Sequence, residues 1–258
     1  MPPSRDMTCG QKAKMRAAGI ARIISAFLLS TLTGCLQVDQ TLVLEKDGSG
    51  TLDLSYAMSE ETLQQWQGVA RQMLGSSGPD DGSPVMPFDF SDQEIRDDFK
   101  EYEGDGVILR SVQSETRDGW KTRRLRIGFR SLAGVARTGF LADRNISLVK
   151  DANGNYVFTQ QPGGDGNLPP ELSALAEPGA EALFSDMMKG FKAAVRVKTP
   201  GRILETNAPE KEDRQAAWTF DLDRDPQALQ KVQVASLRIV FEGKGLDIPA
   251  FHSAAVKR

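Results

Sequence analysis

The sequence predicts an α+β fold: a largely antiparallel, curved β-sheet with two or three packed amphipathic helices. Three observations predict it. Short runs of alternating apolar residues flank turns carrying Asp-Gly or a nearby Gly, the pattern of β-hairpins. Between them lie segments whose apolar residues recur every three or four positions, which is helical spacing. The connecting stretches are rich in Gly, Ser and Pro and have no apolar period.

The elements follow in order. Residues 37–45 and 51–58 are strand-like and are joined by Lys46-Asp47-Gly48-Ser49-Gly50, where Gly supplies the positive φ of a tight turn. Ser59-Glu60-Glu61 opens a helix, with Ser as N-cap and two acids at the positive end of the dipole. Leu63, Trp66, Val69, Ala70 and Met73 form its apolar stripe. Residues 75–87 hold three Gly, three Ser and three Pro and read as a flexible loop. Ser91-Asp92-Gln93-Glu94 is a capping box that starts a short helix running to Lys100.

Strands at 107–116 and 120–129 flank Arg117-Asp118-Gly119, another hairpin signal. The second strand is basic. Leu125, Ile127 and Phe129 share one parity and Arg124, Arg126 and Arg130 the other, while Lys121 and Arg123 fall on the apolar parity. A short helix follows at 131–142, then a third hairpin, 146–150 with 156–160. The span 161–170 is Gly/Pro-rich. Residues 180–190 are helical in pattern, with Leu183, Phe184, Met187 and Met188 on the apolar side. Further strands are expected at 191–197, 203–206, 217–221 and 234–241, with a short helix at 226–231.

The N-terminus carries an address. Arg5, Lys12, Lys14, Arg16 and Arg22 precede an apolar run from Ile23 to Leu32 that ends in Leu32-Thr33-Gly34-Cys35. Basic residues, a short apolar core and small residues at a cut describe a secretory signal peptide. The run is about 15 Å long as a helix, half of what a bilayer core needs. Its last four residues resemble a bacterial lipobox, which implies cleavage before Cys35 and the joining of its thiol to a diacylglycerol with palmitate-type chains. Such a multi-chain anchor holds stably to a membrane. Leu36 follows, not the Asp that retains many lipoproteins at the inner membrane, so the outer membrane is favoured where the cell has one.

Composition agrees. The chain has 258 residues and a net charge of −3, and losing five basic residues with the signal makes the rest more acidic. That balance argues against nucleic acid as a partner. Cys9 leaves with the signal and Cys35 is acylated, so no disulfide forms within the mature chain.

Two stretches carry a family resemblance. Cys35-Leu36-Gln37-Val38-Asp39-Gln40-Thr41-Leu42-Val43-Leu44, the Asp47-Gly48-Ser49-Gly50-Thr51 turn and Met58-Ser59-Glu60-Glu61 form the first. The second is Val195-Arg196-Val197-Lys198-Thr199-Pro200-Gly201-Arg202-Ile203-Leu204-Glu205-Thr206-Asn207 with the Trp strand Ala216-Ala217-Trp218-Thr219-Phe220. Both resemble the LppM-type domain of bacterial lipoproteins. The resemblance implies an α+β domain at the cell envelope, with lipid or glycolipid as the ligand class. The chain then divides into a signal peptide at 1–34, a single LppM-like domain at 35–250 with its loop near 75–90, and a polar tail at 251–258.

Little in the sequence carries catalysis. His252 is the only histidine and sits in a weakly patterned segment, which excludes a multi-histidine zinc site. Gly163-Gly164-Asp165-Gly166 lacks the Lys-Ser/Thr of a phosphate loop. The Asp47 and Asp151 turns lack the spacing and Glu of an EF-hand. Asp80-Asp81 lies in the long loop, where no geometry is held. No cofactor or metal is expected, and the chain reads as a non-enzyme. Lys121, Arg124 and Arg126 are candidates for contact with an anionic surface, set against a solvated face paired with Glu115 and Asp118. Met187 and Met188 suit either a lipid pocket or plain core.

The expected function is a membrane-anchored envelope lipoprotein that binds a lipid or glycolipid. The alternative is a structural or assembly lipoprotein that presents a surface to an envelope protein. In a bacterial host the native chain should be cut before Cys35, and Cys35→Ser should persist as the longer precursor. Intact-mass analysis reads the difference, and equal processing of the two chains would refute the lipobox assignment.

Overall fold

The structure, a computed structural model, describes residues 36–74, 90–138, 141, 144–162 and 188–252. It opens with β1 (Leu36–Leu44) and β2 (Gly50–Ser59). Asp47 explains the turn between them: its carboxylate accepts hydrogen bonds from Ser49 N (3.0 Å) and Ser49 Oγ (2.7 Å), with Gly48 at φ 84°. Helix α1 (Glu60–Leu74) starts as expected, with Ser59 Oγ accepting from Thr62 N at 3.1 Å. Leu63 is buried; the side chains of Trp66, Val69, Ala70 and Met73 lie outside the description, as does the 75–87 loop.

Helix α2 (Asp92–Phe99) carries both halves of the capping box. Glu94 N donates to Ser91 Oγ and Ser91 N to Glu94 Oε2, which holds the Glu94 carboxyl below its usual range. A 3-10 turn (Lys100–Asp105) leads into β3 (Val107–Arg117) and β4 (Trp120–Phe129). Asp118 and Gly119, at φ 52° and 75°, form the tight turn that right-twisted strands require.

The remaining elements are α3 (Leu132–Val135), β5 (Arg144–Lys150), β6 (Tyr156–Pro162), β7 (Lys192–Lys198), β8 (Ile203–Thr206) and β9 (Glu210–Lys211). Then come β10 (Gln215–Asp221), α4 (Ala228–Val234), β11 (Leu237–Phe241) and β12 (Phe251–His252). Two boundaries move. The helix expected over 131–142 is helical only at Leu132–Val135, after which Arg137 N and Thr138 N turn onto Gly134 O and Val135 O. Val234, expected at the start of a strand, closes α4, and it is 58% exposed, so no core demanded an extended conformation there. Residues 180–187 lie outside the described residues; Met188–Gly190 form a turn before β7.

The strands divide into two sheets. Sheet A runs β3-β4-β2-β1-β7-β10-β9, and sheet B runs β12-β5-β6-β11-β8. Every pairing is antiparallel except β1 with β7. The fold is therefore the expected α+β class, mostly sheet with a few helices.

Alternation sorts the residues of sheet A. Leu42, Leu52, Leu54, Leu125, Ile127 and Val197 point to one face and join Phe158, Ile239 and Phe241 of sheet B in one buried cluster. Each such side chain contributes about 1.5–3 kcal/mol by leaving water. Ile95 and Phe99 of α2 belong to the same cluster. A second cluster, Met188, Phe191 and Ala193, packs against Leu36, Val38, Leu229 and Val232, which seats α4 on the far end of the same face. Tyr156, stacked 5.5 Å from Phe241, closes the C-terminal segment: its hydroxyl accepts from Ile248 N at 2.9 Å and donates to Ile248 O at 3.1 Å.

The chain changes sheets at Thr199-Pro200-Gly201-Arg202. Thr199 N donates to Arg214 O and Glu242 N to Arg202 O, so this corner is tied to both sheets. Gly201 is there for close approach, since a Cβ would stand 2.1 Å from Glu242 O. Gly201→Ala should therefore cost about 3 kcal/mol, the upper end of overpacking. Urea unfolding checks it; a loss below about 0.5 kcal/mol would mean the corner is free to shift.

Candidate functional site

The face of sheet A opposite the core is polar and concave. Strand register arranges it in two rows. One row reads Ser111, Arg126, Asp53, Thr41 and Arg196 across β3, β4, β2, β1 and β7. The next reads Gln113, Arg124, Ser55, Asp39 and Ala194. Between them lies a trough of about 430 Å³ whose lining includes Asp39, Thr41, Asp53, Ser55, Arg124 and Arg126. Ser111 and Gln113 complete the β3 side. Volumes of this order belong to ligand sites.

The charges in the trough are paired. Arg126 meets Asp53 side-on, Nε to Oδ1 at 2.7 Å and Nη2 to Oδ2 at 3.2 Å. The two residues are direct cross-strand partners, so register alone sets that geometry. The bond to the carboxylate raises the Arg126 pKa further. Arg196 Nη1 donates to Asp39 Oδ1 at 2.9 Å, and Arg124 lies 3.7 Å from Glu115. These side chains are largely exposed, so each pair stabilises the fold by a fraction of a kcal/mol.

The uncharged groups are free to bond elsewhere. Among the described residues, the side chains of Thr41, Ser55, Ser111 and Gln113 make no hydrogen bond.

Of the sequence candidates, the structure brings Arg124 and Arg126 together on the trough and sends Lys121 to the opposite face, across from Met58. Arg123, on that same inner parity, is only 5% exposed. Its Nε donates to Ser114 Oγ at 2.9 Å and its Nη2 lies 3.6 Å from Asp92, which ties α2 to the sheet. Cys35, Asp80-Asp81, Leu183, Phe184, Met187 and the 163–166 run lie outside the described residues. Met188 is buried in the second cluster. His252 is exposed on β12. The Asp47 and Asp151 carboxylates are occupied by their own turns, Asp151 Oδ1 accepting from Asn153 N and Asn155 N at 2.8 Å. Among the described residues no group of three His, Cys, Asp or Glu is placed to hold a metal.

Asp39, Asp53, Thr41, Ser55 and Arg196 are not marked as site residues by any motif. Their signal in the sequence is only that of polar residues at alternate positions opposite the leucines, and it does not say which strands stand side by side.

The inner face holds a different polar set. Leu125, Leu54, Gln40, Val195 and Trp218 form one row across it. Gln40 Nε2, Trp218 Nε1 and Gln160 Oε1 of sheet B are buried without a hydrogen-bond partner. An unsatisfied buried group costs about 1–3 kcal/mol, so each calls for a water or a bound polar atom. Tyr56 stands diagonally from Gln40 and beside Val38. Burial pushes its phenol up to about 12.

That shift has a sign. Below pH 10 the phenol is neutral in both folded and unfolded chains. Between the ordinary value of 10.0 and about 12, only the unfolded phenol ionises, so stability falls across that window. Tyr56→Phe should reduce the loss between pH 9 and pH 11 and leave stability at pH 7 within about 0.5 kcal/mol, as its hydroxyl makes no bond among the described residues. Urea melts at the three pH values test this, and an identical alkaline loss in both proteins would refute it.

No protein-family model matches the chain, and neither does any curated protein. Among solved structures, the chain is distantly similar to the NMR structure of the folded domain of LppM from Mycobacterium tuberculosis. The TM-score is 0.41 at 13% identity, over 83% of this chain and 95% of that one.

Proposed function

We propose that this chain is a membrane-anchored lipoprotein of the bacterial envelope that acts without catalysis, its domain holding a lipid or glycolipid. The observation that carries the ligand is the orphaned polar set of the inner face. Gln40 Nε2 and Trp218 Nε1 flank Val195 on one row, and Gln160 Oε1 belongs to the facing sheet's core parity. Two donors on one row of an apolar wall suit the polar group of an amphiphile whose chains pack against the leucines, and Gln160 is a further buried polar group of the core side. The anchor comes from Leu32-Thr33-Gly34-Cys35, and β1 begins at the next residue, Leu36, so the domain has no linker and sits at the bilayer.

The alternative, an assembly lipoprotein, would use the long edge strand β3. That edge is guarded: the register slips at Arg110, and Glu115 and Arg117 project charge beside it.

The full chain, purified from its own membranes without added lipid, should carry a covalent acyl mass on Cys35 and a second, non-covalent amphiphile by native mass spectrometry. Gln40→Leu with Trp218→Phe should release the amphiphile and keep the covalent mass. A protein with no co-purifying amphiphile would overturn the ligand, and one without the acyl mass would overturn the anchor.

A further inference from the structure

The outer trough of sheet A has no part in that reading. It faces away from the core, it is concave, and its chemistry is distinctive. We infer that it is a binding site for a neutral, polyhydroxylated ligand, a short saccharide segment, seated across β3, β4, β2 and β1.

Charge comes first. The lining contains two carboxylates, Asp39 and Asp53, and two guanidiniums, Arg124 and Arg126. Both carboxylates are already met by arginine: Asp53 by Arg126 from within the lining, Asp39 by Arg196 from β7. An anion at Arg126 would have to displace the Asp53 carboxylate, and one at Arg124, which Glu115 meets at 3.7 Å, would share the space with Asp39 and Asp53. A cation would have to displace Arg126 or Arg196. A neutral ligand breaks neither pair.

Hydrogen-bond capacity comes next. A side-on Arg–carboxylate pair leaves lone pairs on the carboxylate and N–H groups on the guanidinium, held in a plane and at fixed spacing. Adjacent hydroxyls of a sugar are donor and acceptor at once, and they fit such a fork without disturbing it. Thr41, Ser55, Ser111 and Gln113 add groups that can donate or accept, and none is used within the described protein. The strands also fix their positions, since alternate residues of paired strands hold their side chains at set intervals.

Shape is the third point. Thr41 and Ser55 are diagonal neighbours at the floor, and their short side chains leave the depression open between the taller arginines and aspartates. Beside the trough, Arg110 packs over Gly128, where a Cβ would collide with its Nε. Ala194 and Ala217 continue the low floor toward β10.

The test uses the full chain in a polyoxyethylene detergent, which contains no sugar, with maltotriose, mannotriose, chitotriose and inorganic phosphate as probes. At least one trisaccharide should shift backbone amide resonances of β1, β2 and β4 in a saturable way, and phosphate should not compete. Ser55→Tyr, which fills the floor, should weaken that binding about tenfold or more. Gln215→Tyr, on the same face but off the lining, should leave it unchanged. The pair Asp53→Asn with Arg126→Gln replaces the ionic fork by two neutral amides, isosteric at 53 and shorter at 126, and should weaken binding as well, which covers the case in which Ser55→Tyr fails to fold. No saturable shift with any of the three sugars would overturn the proposal. So would binding that survives both trough variants, or phosphate occupying the trough in place of sugar.

Discussion

Everything in this fold is registered on β1. It pairs antiparallel on one side, with β2, and parallel on the other, with β7, in the one parallel pairing of the described strands. The parallel bond joins the first hairpin and its β3–β4 extension to the β7–β10 half of the sheet. Without it the sheet is two separate ribbons, and neither face exists as a continuous surface. Strand alternation then divides the β1 residues between the faces, with Leu42 and Leu44 toward the core and Asp39 and Thr41 toward the trough. A slip of one residue would bury Asp39 and expose Leu42, so the core holds the trough in register.

The two faces treat polar groups differently. On the outer face ionic groups are paired while hydroxyls and amides are left over, and solvent satisfies them. On the inner face the leftover groups are buried, where each costs free energy until something meets it. Gln40 and Thr41 are chain neighbours that look to opposite faces. One strand thus carries the strongest polar candidate of each face, and the two sites share a backbone without sharing a side chain.

Local chemistry made most elements legible. The Asp47-Gly48 and Asp118-Gly119 turns, the Ser91–Glu94 capping box and the Ser59 cap are short-range devices whose partners lie within four residues. The parity of Leu125, Ile127 and Phe129 likewise placed Arg124 and Arg126 on the outer side. Other features depend on distant partners. Arg126 finds Asp53 across β2, and Arg196 finds Asp39 across the parallel β1–β7 bond; no local pattern joins either pair. The division into two sheets turns on the Gly201 corner, which reads in sequence as an ordinary break. The two-residue strand β12 is made by pairing with β5 and has no periodicity to display. The basic outer face was therefore visible as parity, and of the acids beside it Glu115 was legible next to Arg124 while Asp53 was not.

The parallel bond also sets an order on how the chain can be completed. β1 is the first described element, and its second partner, β7, comes only after sheet B's first hairpin and the long segment that follows it. In a chain exported N-terminus first, β1 and β2 would pair early and then wait with one flank of β1 unbonded. That flank carries the main-chain groups that later bond β7, and an unpaired strand edge is open to wrong partners. An anchored protein would pass this interval beside the bilayer. The demand for protection during export then falls on a single strand edge, and it ends when residues 192–198 arrive.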